Sequence, residues 1–402
     1  MPLLRSVLFW LHLAAGLIAG LVIGVMCATG AALAFEKELV AWAERDARRV
    51  DIPASSARLP LAELTRRVRT AHPAARPTAV IVSADPRAAV TFQLGRDGAL
   101  YADPYTGAIR TPASTRVRDF LHTLEEWHRW LALGDDRRPI GKAVNGAGNL
   151  AFCFLALSGL YLWWPRSWSV RGFKTVALLN GRLTGKARDF NWHNAVGLWC
   201  APVLIALTLT ALPISYRWAS NGVFQVFGET PPPPGPAAAP AGPALAIVRP
   251  EDTPPLDPDA LLARARALAP DAESFTLRLA AGNGGREARH PDANAAAPAR
   301  PSSPPPATVV IRTPGAWPRT AATTLYLHPF TGELLRRESF GDLTPGRRAR
   351  TWTRFLHTGE ALGLGSQLVA ALACLGGCLL VYTDFALAWR RFLPRRDASR
   401  AT

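Results

Sequence analysis

Residues 7–35, VLFWLHLAAGLIAGLVIGVMCATGAALAF, decide the fold because they contain no Asp, Glu, Lys or Arg. An apolar segment of this length can cross a hydrocarbon core of about 30 Å as a helix. A cleaved signal peptide has an apolar region of only about 7 to 15 residues. Here the charged triplet Glu36-Lys37-Glu38 follows the segment in place of a cleavage site. We therefore expect the segment to be retained as a first membrane span.

Three other segments have the same character. Residues 146–164, 193–216 and 361–383 also lack acidic and basic side chains. Of the 402 residues, 49% are hydrophobic and only 19% are charged, a balance that favours a membrane protein. Together the four segments predict an integral membrane protein with four spanning helices, which has membrane lipid as its first partner.

The positions of the basic residues indicate the orientation of the chain. A net charge of +16 would suggest nucleic acid in a soluble protein, but in a membrane protein it biases topology, and we expect no nucleic acid partner. Basic residues crowd the connection after the second span and the C-terminal tail (Arg166, Arg171, Lys174, Arg182, Lys186, Arg188; Arg390, Arg391, Arg395, Arg396, Arg400). The positive-inside rule then places both termini in the cytoplasm and the long connections, roughly 36–144 and 219–360, outside.

The two halves of the chain follow one plan, which indicates an internal two-fold repeat. The first span contains Trp10-Leu-His12 and Gly16, and the third contains Trp192-His193 and Gly197, so both histidines precede a glycine by four residues. The intervening modules share LYADPYTG at 100–107 and LYLHPFTG at 325–332. Upstream of each turn lie a helix-like stretch (59–71; 258–268) and a strand-like stretch (78–83; 274–280).

The predicted fold is therefore a membrane all-α four-helix bundle with two small periplasmic α+β modules. The order is transmembrane helix 1 (1–36), first module (37–118), re-entry helix and transmembrane helix 2 (119–165), basic cytoplasmic loop (166–190), transmembrane helix 3 (191–218), second module (219–350), re-entry helix and transmembrane helix 4 (351–389), and basic cytoplasmic tail (390–402). Residues 230–256 and 281–306 are rich in Pro, Ala and Gly, which predicts flexible insertions.

Four histidines are the candidate functional residues. His12 and His193 lie one to two turns into their spans from the cytoplasmic side, and a histidine inside a span indicates function by default. On the opposite side, the Phe-Leu-His-Thr sequence would pair His122 with His357. The His-x5-Gly spacing instead pairs His128 with His357 and leaves more similar distances to the following spans. We favour His128, with His122 as the alternative.

Facing histidines of this kind suit haem. Two neutral imidazoles across a bundle can ligate a haem iron axially and leave no open coordination site, which suits electron transfer. Gly16 and Gly197 follow their histidines by one turn, and the missing side chains would leave room for a porphyrin plane. The four-residue spacing of Gly16, Gly20 and Gly24 is also typical of helices that pack closely against each other.

Other interpretations of these histidines stay open. They can form hydrogen bonds between helices without a cofactor. Glu125 beside His122 and His128 could contribute to a zinc site, and Glu125-x-x-His128 matches half of a di-iron motif. His72, His290 and His328 are interpreted as ordinary surface residues, and the five cysteines, all within apolar segments, as buried side chains without disulfides. Arg129, Arg166 and Arg354 are candidate partners for haem propionates.

The sequence resembles the PepSY-associated transmembrane family, also called iron-regulated membrane proteins. The similarity rests on the His-Gly spacings, HRWLALG at 128–134, SGLYLWWP at 158–165, HTGE at 357–360 and the two Pro-x-Thr-Gly turns. The resemblance implies a bacterial inner-membrane protein whose outer modules correspond to PepSY-like domains. Some members look like ferric-siderophore reductases that hold two b-type haems.

By this resemblance, His12, His128, His193 and His357 are the haem ligands. The implied function is transfer of electrons across the membrane to a periplasmic ferric siderophore or similar metal chelate. We expect no flavin or nicotinamide domain in this chain, so a quinol or a separate reductase would be the electron donor. The alternatives are a siderophore or metal transporter and a non-enzymatic regulatory or assembly protein.

Overall fold

A computed structural model describes residues 2–54, 57–95, 98–164, 169–233, 245, 247–250, 253–279 and 304–393. The chain forms two compact units. The helical unit comprises Met1–Glu36, Asp119–Pro233 and Pro345–Thr402, and the sheet unit comprises Lys37–Arg118 and Pro234–Thr344. Arg166, His290, the arginines after residue 393 and most of the two predicted insertions lie outside the described residues.

The elements of both units alternate along the chain. In order they are α1 (Pro2–Leu33), α2 (Glu36–Ala43), α3 (Arg45–Arg48), α4 (Leu61–Ala71), β1 (Ala79–Ser83), β2 (Val90–Gln93), β3 (Ala99–Ala102), β4 (Ile109–Arg110), α5 (Arg116–Trp130), α6 (Arg138–Trp163), α7 (Val170–Ala177), α8 (Gly185–Ser215), α9 (Arg217–Gln225), α10 (Pro258–Leu268), β5 (Ser274–Arg278), β6 (Ala307–Arg312), β7 (Thr323–Leu327), β8 (Leu334–Glu338), α11 (Pro345–His357) and α12 (Leu364–Phe392).

Four of the helices are long and apolar enough to cross a membrane, which confirms the predicted spans. The spanning segments are Leu3–Leu33, Asp135–Trp163, Gly185–Ser215 and Leu364–Phe392. They pack in a ring in which α1 and α8 each contact both α6 and α12. Large apolar side chains point outward from the ring; Ile18, for example, is 84% exposed. Such a surface suits lipid, because a soluble protein rarely exposes wide apolar patches.

The spanning helices extend beyond the charge-free segments. Helix α6 begins at Arg138 and α8 at Gly185, upstream of the apolar runs at 146 and 193. Helix α12 continues past Thr383, where the apolar run ends, through Asp384 to Phe392. An acidic side chain therefore lies inside the fourth spanning helix, one residue beyond its charge-free segment.

Helices α5 and α11 bring the chain back to the bundle, each with a histidine in its last turn. Helix α5 carries His128 and α11 ends at His357. After α5 the chain doubles back so tightly that a Cβ at Gly141 would lie 2.1 Å from the carbonyl oxygen of Trp130. After α11 the chain turns at Gly359, whose φ of +74° favours glycine.

The sheet unit contains one antiparallel sheet of eight strands in the order β4-β3-β2-β1-β5-β6-β7-β8. Each half of the chain supplies four neighbouring strands. The halves meet where β1 pairs with β5, from Ala79 opposite Arg278 to Ser83 opposite Ser274. Residues predicted to form two separate modules thus share one sheet. The helix-like stretches are confirmed as α4 and α10, and the strand-like stretches as β1 and β5.

Helices α4 and α10 cover the sheet and build its core. Leu64, Val68 and Ala265 pack into one cluster with the buried strand residues. The carboxylate of Asp259 in α10 accepts hydrogen bonds from the backbone N–H groups of Leu61 (2.6 Å) and Ala62 (2.9 Å). These N–H groups belong to the first turn of α4. Asp259 of α10 therefore caps the N-terminus of α4, although the two helices come from different halves of the sequence.

The two Pro-x-Thr-Gly turns are built alike. Gly107 and Gly332 have φ values of +73° and +70°, as the sequence predicts. Asp103 Oδ1 accepts from the N–H groups of Tyr105 and Thr106, and His328 Nδ1 accepts from the equivalent backbone N–H of Thr331 at 3.2 Å. His328 therefore stabilises a turn.

A buried polar network ties α2 and α3 to the sheet. The carboxylate of Glu44, which is 1% exposed, accepts hydrogen bonds from Tyr101 (2.5 Å), Arg118 (2.7 Å) and Arg48 (3.0 Å). Burial pushes the pKa of Glu44 upward, but the three donors outweigh burial and hold it below its ordinary value. Burial and the Glu44 carboxylate raise the pKa of Tyr101, so its phenol stays protonated as the donor.

Candidate functional site

The structure brings the four candidate histidines together in two pairs. His12 of α1 and His193 of α8 form the first histidine pair, with ring centroids 6.4 Å apart and ring planes 82° apart. His128 of α5 and His357 of α11 form the second histidine pair, with centroids 6.3 Å apart and planes 43° apart. The side chain of His122, six residues before His128, is exposed. The structural partner of His357 is thus His128.

Hydroxyl groups orient the rings of the first histidine pair. His12 Nδ1 lies 2.8 Å from Ser158 Oγ, and His193 Nδ1 lies 2.9 Å from Thr383 Oγ1. Each hydroxyl already donates its single hydrogen to a backbone carbonyl four residues earlier in its own helix. The oxygen must therefore accept from the imidazole, so Nδ1 carries the proton and the Nε2 lone pair is free.

The second histidine pair is held in the same tautomer. His128 Nδ1 lies 2.9 Å from Thr29 Oγ1, whose hydroxyl donates to Val25 O at 2.6 Å. His357 Nδ1 donates to Leu207 O at 3.0 Å, and a carbonyl can only accept. Metal-binding histidines commonly donate their second ring nitrogen to a protein acceptor in this way. All four Nε2 atoms are available as ligands.

Burial keeps the second histidine pair neutral. The pKa of His128 is lowered to about 4, mainly by burial and in smaller part by the nearby His357 and Arg129. Burial likewise lowers the pKa of His357. A neutral imidazole is the form that binds a metal, so this environment suits ligation at ordinary pH.

The spacing within each pair fits a metal between the rings. An imidazole nitrogen binds a first-row metal at about 2.0–2.1 Å, with the ring centroid about 1.2 Å behind it, so two opposed ligands place centroids about 6.4–6.6 Å apart. The observed separations are 6.4 and 6.3 Å. A direct hydrogen bond between the two imidazoles is the alternative explanation of this spacing. It would require one ring to carry its proton on Nε2, whereas in each pair both rings carry the proton on Nδ1.

The two pairs lie toward opposite ends of the bundle. His12 and the Thr29 that contacts His128 are 17 residues apart in α1, and His193 and the Leu207 that contacts His357 are 14 apart in α8. At 1.5 Å per residue these intervals span about 21 to 26 Å. The hydrocarbon core is about 30 Å thick, so each pair falls in a different half of the bundle.

A cavity lies beside the first histidine pair, between the four spanning helices. Its volume is about 100 Å³, and His12, His193 and Asp384 are among the side chains that line it. Gly16 and Gly197 line it, as the sequence predicts, and so does Gly159. A Cβ at Gly159 would lie 3.1 Å from the ring of His12. Glycine thus leaves space next to the imidazole, as a flat cofactor requires.

Gly16 also serves helix packing. A Cβ there would lie 2.2 Å from Asp384 Oδ2, and one at Gly20 would lie 2.8 Å from the ring of Phe385. At Gly24 the nearest atom would be 3.7 Å away. The glycine series therefore lets α1 approach α12, and the packing and cavity interpretations both hold at Gly16.

Asp384 is a site residue that the sequence reasoning missed. It lines the same cavity, and its Oδ2 is buried without a hydrogen-bond partner among the described residues. A buried acceptor of this kind is expected to receive a hydrogen bond from water or a bound group. The available signal was its position, since it is the first charged residue after the fourth apolar run and lies within the segment predicted to contain transmembrane helix 4 (351–389).

Each histidine pair offers two protein ligands and no more. Within the described part of the chain, no group of three or more His, Cys, Asp or Glu side chains could hold a metal ion. Glu125, which the zinc and di-iron alternatives use, forms an ion pair with Arg129, and the neighbouring Glu126 forms one with Arg138. Two opposed ligands suit a metal whose other positions a porphyrin fills. The residues present therefore fit haem.

The candidate propionate partners have other contacts. Arg129 binds Glu125 at 2.6 Å, and the guanidinium of Arg354 lies over the ring of Phe355. Arg166 is outside the described residues. Their role toward propionates stays a prediction.

The comparisons with known proteins agree with the membrane architecture. No curated protein matches the sequence. A family model described as the PepSY-associated TM region matches residues 9–391, a range that includes both histidine pairs and nearly all of the four spans. The chain is thus a multi-pass membrane protein that belongs to the PepSY-associated TM family.

Proposed function

We propose that this protein is a two-haem membrane reductase that passes electrons across the bilayer to a ferric siderophore or a similar metal chelate. The observation that supports it best is the geometry of the two histidine pairs. In each pair the centroid separation matches opposed ligands of one metal, and both Nδ1 protons are engaged elsewhere. A bound haem would supply a one-electron carrier at each pair.

The protein side chains have defined tasks in this proposal. His12 and His193 would hold one haem and His128 and His357 the other. Ser158, Thr383, Thr29 and the carbonyl of Leu207 keep the Nε2 lone pairs directed to the ligand position. The glycines leave space for the flat ring, and the spanning helices exclude water. Two sites at opposite ends of the bundle would divide the crossing into shorter electron-transfer steps.

The acceptor follows from iron chemistry and from the family resemblance. Siderophores hold Fe(III) through hard oxygen donors, and Fe(II) binds such donors less tightly. Addition of one electron to the bound iron would therefore release it. We place the chain in a bacterial inner membrane with both termini in the cytoplasm and the sheet unit in the periplasm. A quinol or a separate reductase would supply the electrons.

The first test is haem content. The protein is expressed with added haem, purified in mild detergent and examined by reduced-minus-oxidised spectra and haem-to-protein ratio. We expect a b-type signal and two haems per chain. Substitution His193→Ala should remove one haem and leave the other, and His128→Ala should remove the second. His122→Ala is the matched control on the same helix and should retain both. A colourless wild type would refute the proposal.

A second test separates reduction from transport and regulation. Proteoliposomes are loaded with a reductant, and a ferric chelate with a ferrous indicator is added outside. The proposal predicts Fe(II) formation that His12→Ala and His357→Ala abolish. A transporter would instead accumulate the chelate without reductant. A regulatory protein would tolerate both substitutions, since its function would depend on the sheet unit.

A further inference from the structure

The connection between the second and third spans contains an open cavity whose lining includes none of the four paired histidines. Helix α7 and the turn that follows it form one wall, and the first turns of α8 form the other. We call it the connector cavity. Its walls carry three basic side chains (Arg171, Lys174, Arg182) and four large exposed apolar ones (Val170, Leu178, Leu179, Phe190).

The three basic side chains lack acidic partners. Among the described residues, no carboxylate forms an ion pair with Arg171, Lys174 or Arg182. Nearby cations differ in this respect, since Arg188 binds the buried Asp189 at 2.8 Å and Arg390 binds its other oxygen at 3.1 Å. The connector cavity therefore concentrates uncompensated positive charge at one place, and an anionic group is the ligand that complements it.

The exposed apolar side chains argue against a small, fully hydrated anion as the ligand. Val170 is 74% exposed, and Leu179 is 61% exposed beside Leu178 and Phe190. A water-filled anion site would not place four large hydrophobic groups around its cations. The connection joins the ends of two spanning helices, so it lies where headgroups meet hydrocarbon. Short amphipathic helices with basic and apolar faces bind at this interface.

The walls of the connector cavity are fixed in place. The Asn191 side chain donates hydrogen bonds to Thr175 O (2.9 Å) and Leu178 O (3.0 Å) and accepts one from Asn180 N (2.9 Å). Trp199 Nε1 donates to Ala177 O at 2.8 Å. Both residues belong to α8, so α7 and its turn are held against a spanning helix. A pre-formed cavity binds a ligand at a smaller ordering cost than a mobile segment would.

We propose that the connector cavity binds an anionic phospholipid, with Arg171, Lys174 and Arg182 around the phosphate and the apolar side chains along the first methylene groups of the acyl chains. The charge selects an anionic headgroup, and the exposed apolar side chains require a ligand that carries hydrocarbon. Binding there would anchor the connection next to the first histidine pair, since Asn194, adjacent to His193, lines both cavities.

The test is lipid binding by the full-length protein. The protein is delipidated in detergent, titrated with phosphatidylglycerol or phosphatidylcholine, and analysed by native mass spectrometry. We expect phosphatidylglycerol to bind at least tenfold more tightly. Since each basic residue contributes about fivefold, the triple variant R171Q/K174Q/R182Q should lose on the order of 100-fold in affinity for phosphatidylglycerol. K186Q is the matched control, because Lys186 lies in the same segment but outside the cavity lining.

Further arms distinguish the possible ligands. The variant L178N/L179N tests the apolar wall and should weaken phosphatidylglycerol binding while all charges remain. Inorganic phosphate should compete poorly; competition as strong as that of the lipid would identify a free-anion site and overturn the proposal. Equal binding of the two lipids, or an equal loss in K186Q and the triple variant, would also overturn it. Size-exclusion profiles verify that each variant is folded.

Discussion

The orientation of the His193 ring by Thr383 yields the sharpest prediction. Thr383 is fully buried, and its hydroxyl accepts from His193 Nδ1 at 2.9 Å. The substitution Thr383→Val keeps the shape and removes the acceptor. We expect weaker haem binding at the first histidine pair and no change at the second.

The magnitude follows from burial. With no water to replace the hydroxyl, the Nδ1–H group is left without a partner, which costs about 1–3 kcal/mol. The proton can escape this cost by moving to Nε2, but that tautomer cannot ligate a metal. Loss of such a supporting hydrogen bond usually reduces metal affinity about 10- to 100-fold. We therefore expect a loss of about 1.4–2.7 kcal/mol in haem affinity.

The assay is transfer of haem to an excess of a haem-scavenging apoprotein. Dissociation is followed in the oxidised protein, and His193→Ala identifies the component that belongs to the first histidine pair. Thr208→Val is the matched control. Thr208 is buried, and its hydroxyl makes the same bond to a carbonyl four residues earlier in its helix, at 2.8 Å. If Thr383→Val and Thr208→Val lose haem at equal rates, the tautomer argument is wrong.

Two further predictions concern packing and pH. Gly16→Ala should lower stability by about 1–3 kcal/mol because its Cβ must displace a carboxylate oxygen 2.2 Å away; Gly24→Ala, whose nearest neighbour is 3.7 Å away, should unfold at the wild-type temperature in a fluorescence melt. Glu44→Gln should lower stability by about 2 kcal/mol at neutral pH, less than a fully buried ion pair would lose, because its arginine partners are 37% and 30% exposed. The folded pKa of Glu44 is depressed, so its contribution is present above its ordinary pKa of 4.5 and is lost as pH falls below it. Thermal melts from pH 7 to pH 3 should therefore converge for wild type and Glu44→Gln, whereas Glu63→Gln, which removes only surface ion pairs such as the one with Arg66, should stay close to wild type throughout. A constant gap between Glu44→Gln and wild type at low pH would contradict the assigned network.

Local properties of the chain account for what could be predicted from sequence. Hydropathy identified the four spans because membrane insertion depends on contiguous residues. The Pro-x-Thr-Gly turns were predicted because Gly107 and Gly332 supply a positive φ within four residues of the strand end. The duplicated sequence words also related His12 to His193 and selected His128 as the preferred partner of His357, which the structure places together.

What the sequence left open depends on contacts between distant segments. His12 meets Ser158 across 146 positions, and His193 meets Thr383 across 190. No local pattern marks a serine or threonine as a histidine partner, because most hydroxyls inside a span bond their own helix. The pairing of β1 with β5 joins both halves in one sheet. It likewise depends on which strand edges meet in the folded chain, and no local pattern specifies this.

Asp384 shows the difference most clearly. By sequence alone, nothing shows how an acidic side chain inside the segment of transmembrane helix 4 is accommodated, since an isolated charge in lipid is costly. In the structure α12 continues, and the carboxylate is accommodated over Gly16, where the missing side chain provides its space. The sequence by itself determined the number of spans and the identity of the histidines. Only the tertiary structure decided which side chains share the interior of the bundle, because that depends on how four helices pack against one another.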